Sequence, residues 1–581
     1  MYSRFSLWAA HRISAAHFPA RVIGRSNMQA GFLTAVLLSL LAMSQTRCGN
    51  GGISPPPACV SAVTVVCTQS GQVQGTIEGD LRAFRGIPYA APPVGNLRWR
   101  PPAPPLAWSG VRDATTFGNM CPQVDSNDQV IGNEDCLVLN IFMTASPPDT
   151  AQPVIVFFHG GNDTAGTTQK AKFDVPPLAN HGVVVVTAEY RLGLLGFFAN
   201  PLLTAEDGLS SGQYLLLDQI AALQWVHTNI AAFGGDPAHV LMYGQSAGAA
   251  DVQALLVSPA TQGLFSAAAT DSGLLLHGNA LPLATIEALD QPFVSTVGCA
   301  STTDVLACLR AVPAETIVSN QGPYSNNSLM IEPRVIPIDP FDALQQHGSP
   351  VPYLTGGTRE EFATLGDDPN AQLDANGYVA ALHSRFDSYG ATVATQVMAL
   401  YPETDYGSYA YALIAVDSDF NGACLERTVA RAASGATRPP VWRFLYTHQF
   451  ESDASLAAYR AFHTAELYFV FGNVQTATTA PPYTPTQAEL AFAGQMMGYW
   501  SRFAATGNPN DPNGAALWPP YDPSTDAMLR LDDVQTPIDG YHNSRCDYFA
   551  ALPAPQNGTG PARGTTPLSN NASGGDHRMG D

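Results

Sequence analysis

Three short stretches of this chain are apolar almost without a break: residues 154–158 (VIVFF), 183–187 (VVVVT) and 240–243 (VLMY). A strand with one wet face alternates apolar and polar residues, so an unbroken apolar run marks a strand covered on both faces. Between the second and third runs, residues 214–230 (YLLLDQIAALQWVHTNI) place Leu216, Ile220, Leu223 and Val226 at helical spacing. Strand, helix, strand in that order predicts a right-handed crossover unit. Helical stretches between the strands argue against a β-sandwich. The expected fold class is therefore α/β, with a central, mostly parallel, twisted sheet covered by helices on both faces.

The pattern stops at both ends. Residues 30–43 (AGFLTAVLLSLLAM) form an apolar run preceded by Arg21 and Arg25. It is shorter than the ~20 residues that span a membrane. The basic flank, the short run and the small-x-small Ala42-Met43-Ser44 fit a secretory signal peptide over residues 1–44, with Met28 as a candidate start. Residues 45–59 read as a Gly/Pro-rich linker. Cys48 at its beginning is a candidate for lipid anchoring, but Gln45-Thr46-Arg47 is a poor lipoprotein signal, so a secreted or periplasmic location is preferred. Residues 553–581 are polar, rich in Gly, Pro, Ser and Asn and without periodicity, which predicts a flexible tail. Residues 60–552 contain no linker or repeat and read as one domain.

Composition agrees with a large core. Of 581 residues, 45% are hydrophobic and only 13% charged, which excludes a disordered low-complexity chain. The formal net charge of −21 repels phosphate backbones and anionic lipid, so no nucleic-acid partner is expected.

The chemistry-bearing motif lies at the end of the third apolar run. Residues 240–249 (VLMYGQSAGA) contain Gly244-x-Ser246-x-Gly248 between a strand and a helix-forming stretch. A serine raised on such a turn sits on strained backbone, and small neighbours let other chain segments approach it closely. The helix that follows offers positive potential to an oxyanion. A second motif, His159-Gly160-Gly161-Asn162, follows the first apolar run. Alone it reads as a strand-end turn. Beside the serine elbow it reads as the other half of an oxyanion hole.

These motifs sit among longer matching segments. They include FRGIPYAAPPVGNLRWRPP (84–102), EDCLVLNIF (134–142), EYRLGLLGFF (189–198), LLDQIAALQWVHTNIAAFGGDP (216–237), HTAELYFVFG (463–472) and YWSRFAATGNPN (499–510). Through them the chain resembles a type-B carboxylesterase of the cholinesterase-like branch of the α/β-hydrolases. The resemblance implies that fold and a Ser–His–Glu triad that cleaves esters without metal or organic cofactor. Position by position it implies Ser246 as nucleophile and His463 as base. In GGTREEF (356–362) it implies Glu361 as the acid, with Glu360 as the rival because Phe362 stands where the family usually has Gly. It also implies an oxyanion hole from the amides of Gly161, Asn162 and Ala247, with Gly160 supporting. The order Ser246, Glu361, His463 is that of α/β-hydrolases.

Two departures narrow the substrate. The family commonly has Glu before the nucleophile, where this chain has Gln245. The loop from Cys121 to Cys136 (CPQVDSNDQVIGNEDC) has no aromatic residue to hold a quaternary ammonium. Both argue against a choline-ester specialist. The resemblance also implies disulfides Cys121–Cys136, Cys299–Cys308 and Cys424–Cys546, as suits an exported chain, and structural ion pairs Arg98–Glu134 and Arg191–Asp218. Cys59–Cys67 is a further candidate bridge. The expected activity is hydrolysis of uncharged, small carboxylic esters by a secreted serine esterase. Alternatives are a lipase or an amide- or carbamate-cleaving enzyme of the same fold, or a non-catalytic adhesion protein, which would lack the nucleophile or the histidine that this chain retains.

Overall fold

The three apolar runs become neighbouring or near-neighbouring strands of one sheet. The structure, a computed structural model, describes residues 63–553 except 147–148, 274–279, 325–328 and 515–516. The expected signal peptide and linker, with Cys48 and Cys59, lie outside the described residues, as does the tail beyond 553. In chain order the strands of the main sheet are β1 (Thr76–Glu78), β2 (Leu81–Pro88), β3 (Val138–Thr144), β4 (Gln152–Phe158), β5 (Val184–Ala188) and β6 (Gly235–Gln245). They continue with β7 (Ala267–Asp271), β8 (Tyr353–Thr358), β9 (Val441–Tyr446), β10 (Met528–Leu531) and β11 (Thr536–Ile538). Their order across the sheet is β11-β10-β9-β8-β7-β6-β4-β5-β3-β2-β1. From β5 across to β10 all neighbours are parallel, and the pairs at both margins are antiparallel.

The first run lies inside β4, the second is shifted by one residue in β5, and the third is the end of the longer β6, whose register shifts between Gly235 and Val240. The longest helix between β5 and β6, α1 (Tyr214–Asn229), ends one residue earlier than its periodicity suggests, where a 3₁₀ turn begins at Ile230. β5 and β6 are not adjacent, because β4 lies between them.

Why the runs are apolar throughout is visible in how their side chains divide. Successive strand residues point to opposite faces. Val154, Val156 and Phe158 join Val184, Val186, Val240 and Met242 in one core. Ile155 and Phe157 join Val185, Leu241 and Tyr243 in the other. Each fully buried side chain of this size is worth roughly 1.5–3 kcal/mol relative to exposure, so neither face tolerates a polar residue cheaply. A third apolar cluster, including Tyr378, Phe386, Phe420 and Phe549, is crossed by Cys424–Cys546.

Disulfides join Cys121 to Cys136, Cys299 to Cys308 and Cys424 to Cys546. Cys67 is disulfide-bonded as well, and the candidate partner Cys59 lies outside the described residues. Arg98 binds Glu134 at 2.6 Å and Arg191 binds Asp218 at 2.7 Å. Among the described residues no helix is long and apolar enough to cross a membrane.

Candidate active site

Ser246 stands between the end of β6 and α2 (Ala247–Leu256). Its backbone has φ 58° and ψ −125°, a region that a residue with a Cβ rarely adopts. Neighbouring chain holds it there: its amide donates to the Asp271 carbonyl at 2.9 Å, and its carbonyl accepts from Ala249 and Ala250. The flanking glycines are required by close approach. A Cβ on Gly244 would stand 2.1 Å from the Gly248 carbonyl oxygen, and one on Gly248 2.4 Å from that of Phe158. The motif thus packs the start of α2 directly against the ends of β4 and β6.

The candidate acid and base, Glu361 and His463, come from two loops beyond β8 and β9. Glu361 follows β8, and one of its oxygens lies 2.5 Å from His463 Nδ1. The other oxygen accepts from the Ser272 hydroxyl at 2.5 Å and from the Thr358 amide at 2.8 Å. Burial works to raise the Glu361 carboxyl, but His463, Ser272 and the Thr358 amide outweigh it and hold it below the ordinary carboxylate range. Glu360 faces elsewhere. It binds Arg359 Nε at 2.7 Å and accepts from the Ala461 amide at 3.2 Å, while its own amide donates to the Ala461 carbonyl. That exchange clips the loop carrying His463 to the loop carrying Glu361.

His463 Nε2, the other ring nitrogen, lies 3.1 Å from Gln245 Nε2. An amide N–H donating there requires a lone pair on Nε2, which matches the tautomer with its proton on Nδ1 facing Glu361. Three further buried acids surround this pair. Burial and the charge of Glu361 push up Asp271, Glu466 and Glu426, the last to about 8. Asp271 also accepts from the Tyr243 hydroxyl. The contact with the imidazole favours the ionised form of Glu361, whereas burial favours the neutral form of its neighbours.

The loop after β4 lies across the serine. A Cβ on Gly160 would stand 2.6 Å from Ser246 Cβ and 2.8 Å from the Gln245 carbonyl oxygen, so the backbone of this loop lies directly against the serine turn. Asn162 and Asp163 both take positive φ, 55° and 56°. The amides of Gly161, Asn162 and Ala247 donate to no group among the described residues, which leaves them open toward a ligand. His159 does not face the serine; it stacks on Tyr190 with ring centroids 4.6 Å apart.

Sequence reasoning missed the residues that brace this arrangement. Gln123, inside the Cys121–Cys136 loop, exchanges hydrogen bonds with Gly166 at 2.8 and 2.9 Å. Glu189 Oε1 accepts from the Thr167 hydroxyl and from the amide and hydroxyl of Thr168. Ser272, with φ 58°, anchors Glu361. None has a motif of its own, although Ser272 sits at the end of a β7 strand whose sequence shows little but alanine.

A carboxylesterase family model matches residues 62–549. The chain is 33% identical over 494 residues to the para-nitrobenzyl esterase of Bacillus subtilis (strain 168), covering 81% of this chain and 95% of that protein. It is 33% identical over 481 residues to the fumonisin B1 esterase of Sphingopyxis macrogoltabida, covering 78% and 84%. With the human cocaine esterase the identity is 31% over 529 residues, covering 84% and 90%. A solved PNB esterase structure superposes with TM-score 0.69 at 30% identity, covering 84% of this chain and all of that one. A sheet of this order, an elbow serine and likeness along nearly the whole length of these proteins have one reading: the chain has the α/β-hydrolase fold and belongs to the carboxylesterase family, the type-B carboxylic ester hydrolases.

Proposed function

We propose that the protein is an exported serine esterase that hydrolyses uncharged carboxylic esters through an acyl-enzyme on Ser246. The observation that carries this reading is the contact between Glu361 and His463 Nδ1 beside a serine held on a strained elbow. Once the Gln245 amide leaves the Nε2 lone pair of His463, that nitrogen accepts the Ser246 proton as the hydroxyl oxygen attacks the ester carbonyl carbon. Glu361 keeps the imidazole in the required tautomer and stabilises the imidazolium. The amides of Gly161, Asn162 and Ala247 receive the oxyanion, each donor being worth roughly 3 kcal/mol of barrier in comparable hydrolases. The imidazolium then protonates the leaving alcohol, and water repeats the sequence on the acyl-enzyme.

Gln245 supports the choice of uncharged substrate. It is buried beside His463 and carries no charge to attract a cation. The disulfides support an oxidising compartment. The relatives are named for esters of different shape, so acyl range is a matter for measurement. An organophosphate should modify the protein once, on the peptide bearing Ser246, and Ser246→Ala should lose several orders of magnitude in kcat on p-nitrophenyl esters of graded acyl length. Labelling at another serine, or full activity in the variant, refutes the reading.

A further inference from the structure

His159 and Glu189 form a second histidine–carboxyl pair close to Ser246, and the serine mechanism uses neither. Sheet register brings them together. β4 and β5 are parallel neighbours with Phe158 opposite Ala188 at their ends, so the next residue of each segment, His159 and Glu189, leaves the sheet side by side. Both side chains are buried, 2% and 1% exposed, and His159 Nε2 lies 3.7 Å from Glu189 Oε2. Neither of these two atoms has a hydrogen-bond partner among the described residues. Glu189 Oε1 is held by the Thr167 hydroxyl at 2.7 Å and by the amide and hydroxyl of Thr168, each at 2.8 Å. Tyr190 covers one face of the imidazole, and its hydroxyl donates to the His159 carbonyl at 2.5 Å. The other ring nitrogen, Nδ1, lies 2.8 Å from the Gly160 carbonyl oxygen, which can only accept, so Nδ1 carries a proton. Nε2 is left facing a carboxyl oxygen, and one proton between them gives each a partner.

The bond to Gly160 matters because of the peptide it holds. The Gly160 carbonyl and the Gly161 N–H, a candidate oxyanion donor, belong to one planar trans unit and point in opposite directions. That unit lies between two glycines, the second with φ 121°, so side chains offer little resistance to its rotation. The peptides on either side are pinned. Tyr190 holds the His159 carbonyl, and the amides of Thr164 and Ala165 donate to the Gly161 carbonyl at 3.1 and 3.0 Å. A half-turn of the Gly160–Gly161 unit would put a carbonyl oxygen where an N–H is needed.

We propose that Glu189, by holding the ring of His159 at Nε2, keeps Nδ1 on the Gly160 carbonyl and so aims the Gly161 N–H at the oxyanion, making His159 and Glu189 positioning residues for ester hydrolysis. This rests on the proposed serine mechanism. It gives Glu189 a role beyond bracing the loop through Thr167 and Thr168, because Oε1 serves the threonines and Oε2 serves the histidine.

His159→Phe keeps the stack on Tyr190 and donates nothing to Gly160. It should lower kcat at least about tenfold, toward the roughly 10²–10³ that one lost oxyanion donor costs, with KM within about threefold. A trifluoromethyl ketone adds the serine oxygen to its carbonyl carbon and leaves an oxyanion in the same hole. Its inhibition constant should rise in His159→Phe by the factor by which kcat/KM falls. Glu189→Ala should lower kcat at least about fivefold, and Glu189→Gln should stay within about threefold of wild type, because its carbonyl still accepts from Thr168 while its amide donates to Nε2 of a neutral ring. Since Glu189 acts through His159, the double variant of Glu189→Ala with His159→Phe should be no more than about threefold slower than His159→Phe alone. A wild-type kcat in folded His159→Phe, an inhibition constant that does not follow kcat/KM, or losses that multiply in the double variant overturn the proposal. If Glu189→Ala does not fold, His159→Phe and Glu189→Gln decide: the first must lose activity and the second must keep it. Organophosphate labelling of Ser246 in the wild type is read alongside. Its absence strikes the serine mechanism itself, whereas labelling with an unchanged kcat in His159→Phe strikes only the positioning pair.

Discussion

At the scale of single residues, the site turns on which of two adjacent glutamates meets the imidazole. Glu361 touches His463, and Glu360 is spent on Arg359 and the Ala461 amide. Glu361→Gln should therefore lower kcat by about 10⁴-fold, since an amide neither stabilises an imidazolium nor fixes its tautomer. Glu360→Gln should keep kcat within about threefold while losing about 1 kcal/mol of stability, because the buried Glu360 loses its ion pair with the half-buried Arg359. Steady-state kinetics with circular dichroism on both variants separates the two effects, and a reversed result would exchange their roles. The residue before the nucleophile makes a second case. Gln245→Glu would set a carboxylate where an amide now lies 3.1 Å from His463 Nε2. The negative charge favours the imidazolium, so the acidic limb of kcat/KM should move to higher pH, and a cationic ester should gain relative to a neutral one of equal size. A pH profile that does not move would show that Gln245 is not coupled to the base.

At the scale of elements, the proposed catalytic groups are carried by chain segments that depend on one another for shape. The loop over Ser246 takes its course from Gln123 in the Cys121–Cys136 loop and from Glu189 after β5. The Cys121–Cys136 bridge closes a separation of 15 residues. Replacing both cysteines by serine should destabilise the protein by about 3 kcal/mol on the chain-entropy account. It should also lower kcat, because Gln123 loses its fixed position. Gln123→Ala should reproduce the fall in kcat with a much smaller loss of melting temperature. If kcat is unchanged in both, the loop is braced by its own turns and not by the disulfide segment. On the other side of the site, a π-helical turn, Asp419–Ala423, runs past Glu361, where a Cβ on Gly422 would come 3.3 Å from Glu361 Cγ. Widening of a helix at that point leaves room for the Glu361 side chain.

At the scale of the whole molecule, the far margin of the sheet is fastened by charge inside the apolar layer. His448 follows β9 and is 2% exposed. It faces Glu489, on the helix Gln487–Thr506, at 3.5 Å, and Asp533 and Asp532, beyond β10, at 3.1 and 3.7 Å. Burial opposes its charge, but the carboxylates of Asp532, Glu489 and Asp533 prevail and bring it up to about 9. Glu489 and Asp532 are in turn brought down to about 2. The raised histidine stabilises the fold fully below ~6.5 and ceases to as pH rises through about 9. The lowered carboxylates stabilise it above ~4 and cease to as pH falls through about 2. Wild type should thus exceed His448→Gln in melting temperature most between pH ~4 and ~6.5, and the gap should close above pH 9. A gap independent of pH would mean that His448 acts through packing alone.

Residues 154–158, 183–187 and 240–243 announced their strands because burial on both faces leaves no polar position, and that constraint is written locally. The serine elbow was equally legible, since a strand, a strained turn and a helix are consecutive in the chain. Resemblance supplied the register of Glu361 and His463, which no local pattern marks: the two are 102 residues apart and meet only because β8 and β9 are parallel neighbours whose ends open onto the same loop contact. The position of β4 between β5 and β6 and the hold of Ser272 on Glu361 had no sequence signature. Each joins residues far apart along the chain, through contacts that a period of two or 3.6 does not encode. What the sequence determined is which surfaces must be buried and where the backbone must bend; which buried polar groups face one another was decided by the order of the strands.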